Sequence, residues 1–167
     1  SLIPRYNGAV SDNAVDLGTS GNRFKDLYLG GGVRLGGTAA ANSLDHYEEG
    51  TWTPSVSVGS VTYSEAKYTR IGRVTHVSAY LNSFTNRTSS STVTISGIPI
   101  VADGYASQGV MYQYIQGAGD AVTAYLSDGG SAILLYSTVS GGGYDSISHS
   151  QLNSSSANVF LSLTYVV

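Results

Sequence analysis

The sequence predicts an all-β protein: a thin N-terminal segment over residues 1–50, followed by a β-sandwich, jelly-roll-like, over residues 51–167. Three observations point there. Charged residues make up only 11% of the 167, while 21 Gly, 13 Tyr and many Ser and Thr supply polarity without charge, a mix that favours strands and turns. Apolar residues alternate with a period of two in several runs, and nowhere recur at helical spacing over three turns. Turn-forming Gly and Asp stand between those runs.

The N-terminal segment is defined by "DLGTSGNRFKDLYLGGGVRLGG", residues 16–37. Leu27, Leu29, Val33 and Leu35 share one parity, with Gly31 between the pairs, so the spacing predicts strand alternation carried through the three glycines. Residues 1–50 hold too few large apolar groups to close a core, and a small segment buries too little to offset an ordering entropy of roughly 1–2 kcal/mol per residue. The stripe therefore calls for partner chains, each lending one face to a shared interior.

From residue 51 onward strand-like runs fall at 56–63, 68–81, 92–96, 108–116, 121–127, 132–139 and 157–167. The last is the clearest, with Val159, Leu161, Leu163, Tyr165 and Val167 on one face. "SDGGS" at 127–131 supplies the positive φ angles of a hairpin turn, and "RIGRV" at 70–74 is a weaker hairpin or bulge signal. About seven short strands with frequent turns read as a sandwich.

Composition also excludes partners. The formal net charge is -3 and no Lys or Arg follows Arg87, so most of the chain has nothing with which to neutralise phosphates, and nucleic acid is a poor partner. The longest apolar runs, such as "AILLY" at 132–136, are far shorter than a membrane span, so no membrane insertion is expected. With no Cys, the chain must be held by packing or association. It opens at Ser1 with no charged-then-apolar leader, which leads us to expect a fragment of a longer polypeptide or a processed product.

The segment "AVDLGTSGNRFKDLYLGGGVRLGGTAAANSLDHYEEGTWTP", residues 14–54, resembles sequences in tail fibres and tailspikes of tailed bacteriophages. "YTRIGRV" at 68–74 and "VTISGIPI" at 93–100 are similar to later elements of the same family; His46 stands where the family often has Asp. The resemblance implies a homotrimeric, virion-attached adhesion protein, assembled in the host cytoplasm, with upstream tail-fibre domains and a bacterial surface polysaccharide as partner. Residues 16–37 would then be an intertwined β shaft or neck whose Leu27, Leu29, Val33 and Leu35 line the trimer interface, and "EEGTWTP" a hinge into the head. The number three comes from the resemblance alone. Residues 104–158 carry no part of it, and there receptor specificity would vary.

Candidate chemistry is sparse. His46, His76 and His149 lie far apart without metal-ligand spacing, no "GxSxG" elbow is present, and no "DxDxDG" calcium series occurs, so no metal, cofactor or catalytic residue is assigned. Tailspikes often hydrolyse glycans with paired acids, but Asp103, Asp120, Asp128 and Asp145 all stand in turn-like, glycine-rich contexts. Tyrosine is in excess: Tyr105, Tyr112, Tyr114, Tyr125, Tyr136 and Tyr144 lie in the cation-free half, where a ring can cover the C–H face of a sugar. The polar interval 140–156 is expected to be an exposed distal loop presenting Tyr144, Asp145, His149, Gln151 and Asn153 to a glycan, with Tyr105, Tyr112 and Tyr114 as the next candidates. Three functions follow: a non-enzymatic receptor-binding module, a purely structural trimerisation and folding cap, and a depolymerase with acids shared between subunits.

Overall fold

The computed structural model describes residues 3–167; Ser1 and Leu2, which begin the thin segment, lie outside the described residues. Packing divides the chain into one unit up to Gly32 and another from Val33 to Val167. In the first, β1 (Arg5–Tyr6) and β2 (Ala9–Val10) form an antiparallel hairpin whose Asn7 and Gly8 both take positive φ, the geometry that an Asn-Gly turn favours. Beyond it the chain runs through bends outside any strand, with a turn closed by mutual Thr19–Asn22 backbone bonds, and its large apolar side chains are exposed.

The strand expected through Gly30, Gly31 and Gly32 does not form as one element. Leu27 and Leu29 lie in unpaired chain, and only β3 (Val33–Arg34) forms, pairing with β4 (Ser43–Leu44). Glycine adds no side-chain contact and loses the most backbone freedom on ordering, so nothing within one chain holds those residues in a ladder.

The second unit continues with β5 (Tyr47–Thr51), β6 (Ser55–Val56), β7 (Thr62–Ile71), β8 (Val74–Asn82), β9 (Thr94–Ser96), β10 (Ala106–Gly109) and β11 (Met111–Gln113). It ends with β12 (Ala121–Leu126), β13 (Ala132–Thr138), β14 (Tyr144–Ser146) and β15 (Asn158–Val166). Two 3-10 turns, Ala40–Asn42 and His149–Gln151, are the helical elements among the described residues, and no helix there is long and apolar enough to cross a membrane. One sheet has the order β11-β15-β8-β7-β5; the other runs β10-β12-β13-β9-β6, with β14 added to β13. All pairings are antiparallel. The two inner faces supply a single core: Val77, Ala79, Leu81, Val159, Leu161, Leu163 and Tyr165 from one sheet, Ile95, Val122, Ala124, Leu126, Ile133 and Leu135 from the other. This is a sandwich-like arrangement, and the face expected inward on the last strand is inward from Val159 to Tyr165. Burial pushes the Tyr165 hydroxyl up to about 12, and it donates to the Ile100 carbonyl at 2.9 Å.

Both turn signals hold: Gly72 at φ 56° sits in the β7–β8 hairpin and Gly129 at φ 65° in the β12–β13 hairpin. "EEGTWTP" is no hinge, because residues 47–51 form the edge strand paired with β7. Gly50 stands opposite Tyr68, whose ring covers it; a Cβ at Gly50 would come within 2.9 Å of that ring. Trp52 is buried in the core, its Nε1 donating to the Ser78 carbonyl at 3.0 Å. Gly97, at φ 99°, lies so close to Thr53 that an added Cβ would overlap the Thr53 carbonyl oxygen. Sequence segments 48–54, 68–74 and 93–100 thus pack within one sandwich.

Replacing Gly97 with Ala forces both an unfavourable φ and a steric overlap, so urea unfolding should show a loss of about 1–3 kcal/mol or more. Gly143→Ala meets open space at an ordinary φ and should stay within about 0.5 kcal/mol of the parent.

Candidate binding face

Strand alternation decides what the six-stranded sheet shows to solvent. Val122, Ala124 and Leu126 of β12 point inward, as do Ile133 and Leu135 of β13, so Thr123, Tyr125, Leu134, Tyr136 and Thr138 point outward. The register sets Tyr125 opposite Leu134 and Ser107, and Tyr136 opposite Thr123 and Ser146, which places Tyr105, Tyr125, Tyr136 and Tyr144 on successive diagonals. Their rings touch in sequence. Tyr105 and Tyr125 are near parallel with centroids 6.4 Å apart, Tyr125 meets Tyr136 edge-on at 5.6 Å, and Tyr136 meets Tyr144 edge-on at 5.2 Å. The end rings are largely exposed, Tyr105 at 76% and Tyr144 at 71%, whereas Tyr125 and Tyr136 are half-buried.

A groove of about 310 Å³ opens along this row, lined by Ser107, Thr123, Tyr125, Tyr136, Thr138 and Tyr144. Its size is at the small end for ligand sites, and its lining carries no charged side chain. Burial among its neighbours raises the Tyr125 hydroxyl above the ordinary value, with smaller pushes from Tyr105, Tyr136 and Tyr144, so the phenol stays a neutral donor and acceptor. Wider hollows, about 690 and 640 Å³, lie along residues 16–27, where the chain bends outside any strand and its large apolar side chains are exposed.

The structure separates the residues expected to form one site. Tyr144 and Tyr105 join the row. Tyr112, on β11 of the other sheet, is half-buried and packs against the core, apart from the row. Tyr114 and Asn153 neighbour one another beyond β11, where the Asn153 amide donates to the Tyr114 carbonyl at 3.3 Å. Asp145 opposes Ser137, whose side chain is buried, so its carboxylate starts on the opposite side of β14 from the Tyr144 ring.

His149 corrects the expectation most sharply. The interval 140–156 is not a free loop: β14 pairs with β13, and Ile147, His149 and Leu152 are buried. The His149 ring lies between the Ser57 hydroxyl, 3.1 Å from Nε2, and the Asn86 carbonyl, 3.4 Å from Nδ1. Ser57 also donates to the Thr92 carbonyl at 2.7 Å, so the imidazole ties three segments together. Isoleucine and leucine flanking the polar residues at 147 and 152 were the signal that this stretch returns to the core.

The acids have local structural roles. Asp120 accepts from the Ser140 amide at 2.6 Å, and Asp103 lies 3.8 Å from Arg73 at an exposed site. His46 bonds Asp45 at 3.1 Å, and His76 bonds the Thr164 hydroxyl at 3.0 Å on the outer face of the five-stranded sheet. Among the described residues no cluster of three or more His, Cys, Asp or Glu could hold a metal ion.

Comparison with known proteins finds no matching family model, no matching curated protein and no matching solved structure, so the geometry carries the functional argument.

Burial lowers the His149 pKa below the ordinary 6.5 of an unfolded chain. The folded state therefore resists the proton that the unfolded state accepts, so its contribution to stability is intact above 6.5 and is lost as pH falls from there through the folded value. The urea midpoint should drop between about pH 7.5 and about pH 5.5, and His149→Gln should flatten that drop.

Proposed function

We propose that this chain is the C-terminal module of a tailed-phage tail fibre or tailspike, a non-enzymatic homotrimer with a jelly-roll-like head that attaches the virion to a bacterial surface glycan. The observation that carries the reading is the row of four outward tyrosines over an uncharged, hydroxyl-lined groove. Aromatic faces with neutral hydroxyls match a saccharide, which offers C–H surfaces and groups that both donate and accept. The motifs resembling phage fibres supply the biological setting.

The trimer is supported by apolar side chains that one chain leaves in water. Leu27 is 65% exposed and Leu29 52%, with Leu17 and Phe24 exposed nearby; Val33 and Leu35 are exposed as well. The same residues would serve a purely structural cap, whose tyrosine face would then take no ligand. The non-enzymatic reading draws on the turn and ion-pair roles of Asp120 and Asp103; release of reducing ends from host polysaccharide would replace it with the depolymerase reading.

Tyr144→Ala removes an exposed ring and no core contact, so glycan or host-cell binding should fall by about tenfold or more while the melting temperature holds. Binding unchanged by the double variant Tyr136→Ala, Tyr144→Ala would remove the face from recognition. Light scattering on the eluted chain should give three times the 17.4 kDa chain mass, and Leu27→Asp with Leu29→Asp should lower it by placing charge in an apolar interior. A parent of single-chain mass would overturn the trimer.

A further inference from the structure

We infer that the tyrosine groove selects an uncharged pyranose, a neutral hexose or N-acetylhexosamine, and rejects sugars bearing carboxylate or phosphate. This inference rests on the glycan-binding reading of the same face and adds what that face discriminates.

Strands β10, β12 and β13 contain no charged residue, β14 contains only Asp145, and no Lys or Arg follows Arg87 in the sequence. An anionic ligand lowered onto the groove gives up its hydration and meets no counter-charge there. A neutral polyol meets no such penalty. Selection by an unfavourable partner environment needs no special contact to the favoured ligand.

Hydroxyl chemistry points the same way. Ser107, Thr123 and Thr138 line the groove with the phenols of Tyr125, Tyr136 and Tyr144, and every one of these groups can donate or accept. That set pairs with a ring of hydroxyls in whichever direction each is oriented. It offers no fork of fixed donors such as a carboxylate or phosphate requires. Shape then sets the size. Tyr136 stands at 82° to Tyr125 and 87° to Tyr144, so each pair makes a corner in which one ring can lie against a sugar face while its neighbour walls the edge. At about 310 Å³ the groove holds a short segment of about one or two rings, and a longer chain would run on toward Tyr105.

The test titrates the full 167-residue chain, with ring-labelled tyrosine, against methyl hexopyranosides and N-acetylhexosaminides of the gluco, galacto and manno series and against the matching hexuronates at about pH 7. At least one neutral glycoside should shift the Tyr136 and Tyr144 ring signals. Its uronate should bind at least about tenfold more weakly, and methyl esterification of that uronate should restore binding. Thr138→Val should weaken the neutral sugar while leaving the ring signals of the free protein in place. A uronate that binds these rings as tightly as its neutral counterpart would overturn the charge inference and leave the glycan reading standing. Absence of any shift with either class would overturn both, and binding that persists in Tyr144→Ala with shifts only elsewhere would remove the groove as the site.

Discussion

A strand that buries every second side chain has no freedom in what it shows on its other face. In this chain that constraint links the buried core to the outward row of tyrosines. Val122, Ala124 and Leu126 on β12, and Ile133 and Leu135 on β13, are nearly or wholly excluded from water, each large one contributing about 1.5–3 kcal/mol. Their parity fixes Tyr125 and Tyr136 outward. A slip of one residue would bury two phenols without partners and expose the aliphatic set, so the core that holds the sandwich also holds the tyrosine row in register. The opposite sheet obeys the same rule through Val77, Ala79 and Leu81 facing Val159, Leu161 and Leu163.

The segments that resemble phage fibre sequences serve as scaffold in this fold. Gly50 makes room for the Tyr68 ring, Trp52 anchors to Ser78, and Gly97 lets the Thr53 carbonyl approach. These are backbone-level requirements, met by residue types that few substitutions can replace. The tyrosine row, Tyr105, Tyr125, Tyr136 and Tyr144, lies wholly in residues 104–158, which carry no such resemblance. Strands β12, β13 and β14, with Tyr105 just before β10, carry the row, and none of these four strands includes residues 48–54, 68–74 or 93–100.

Much of this was legible in the sequence. Period-two alternation on the last strand, the Asp-Gly-Gly turn and the absence of helical periodicity led to an all-β fold, and they did so because inward parity is a direct consequence of a buried face. The thin N-terminal stripe misled, since alternation is necessary for a strand but a ladder also needs a partner, and one chain provides none around Gly30, Gly31 and Gly32. Residues 140–156 misled in another way: Ser and Gly content marked a loop, yet Ile147 and Leu152 return it to the core and bury His149 with them. Tyr125 and Tyr136 were visible among the tyrosines able to cover a sugar face but were not singled out for the site. The parity of Val122, Ala124, Leu126, Ile133 and Leu135 would have placed both outside, whereas the diagonal registry with Tyr105 and Tyr144 depends on strand pairing that no local pattern encodes.

The most direct measurement is a crystal structure of the full chain soaked with oligosaccharide from a bound host surface. The account predicts a sugar ring seated against Tyr125, Tyr136 and Tyr144, with its hydroxyls on Thr123, Thr138 or Ser107. A saccharide resting elsewhere, or a neighbouring copy of the chain covering the tyrosine row, would contradict it.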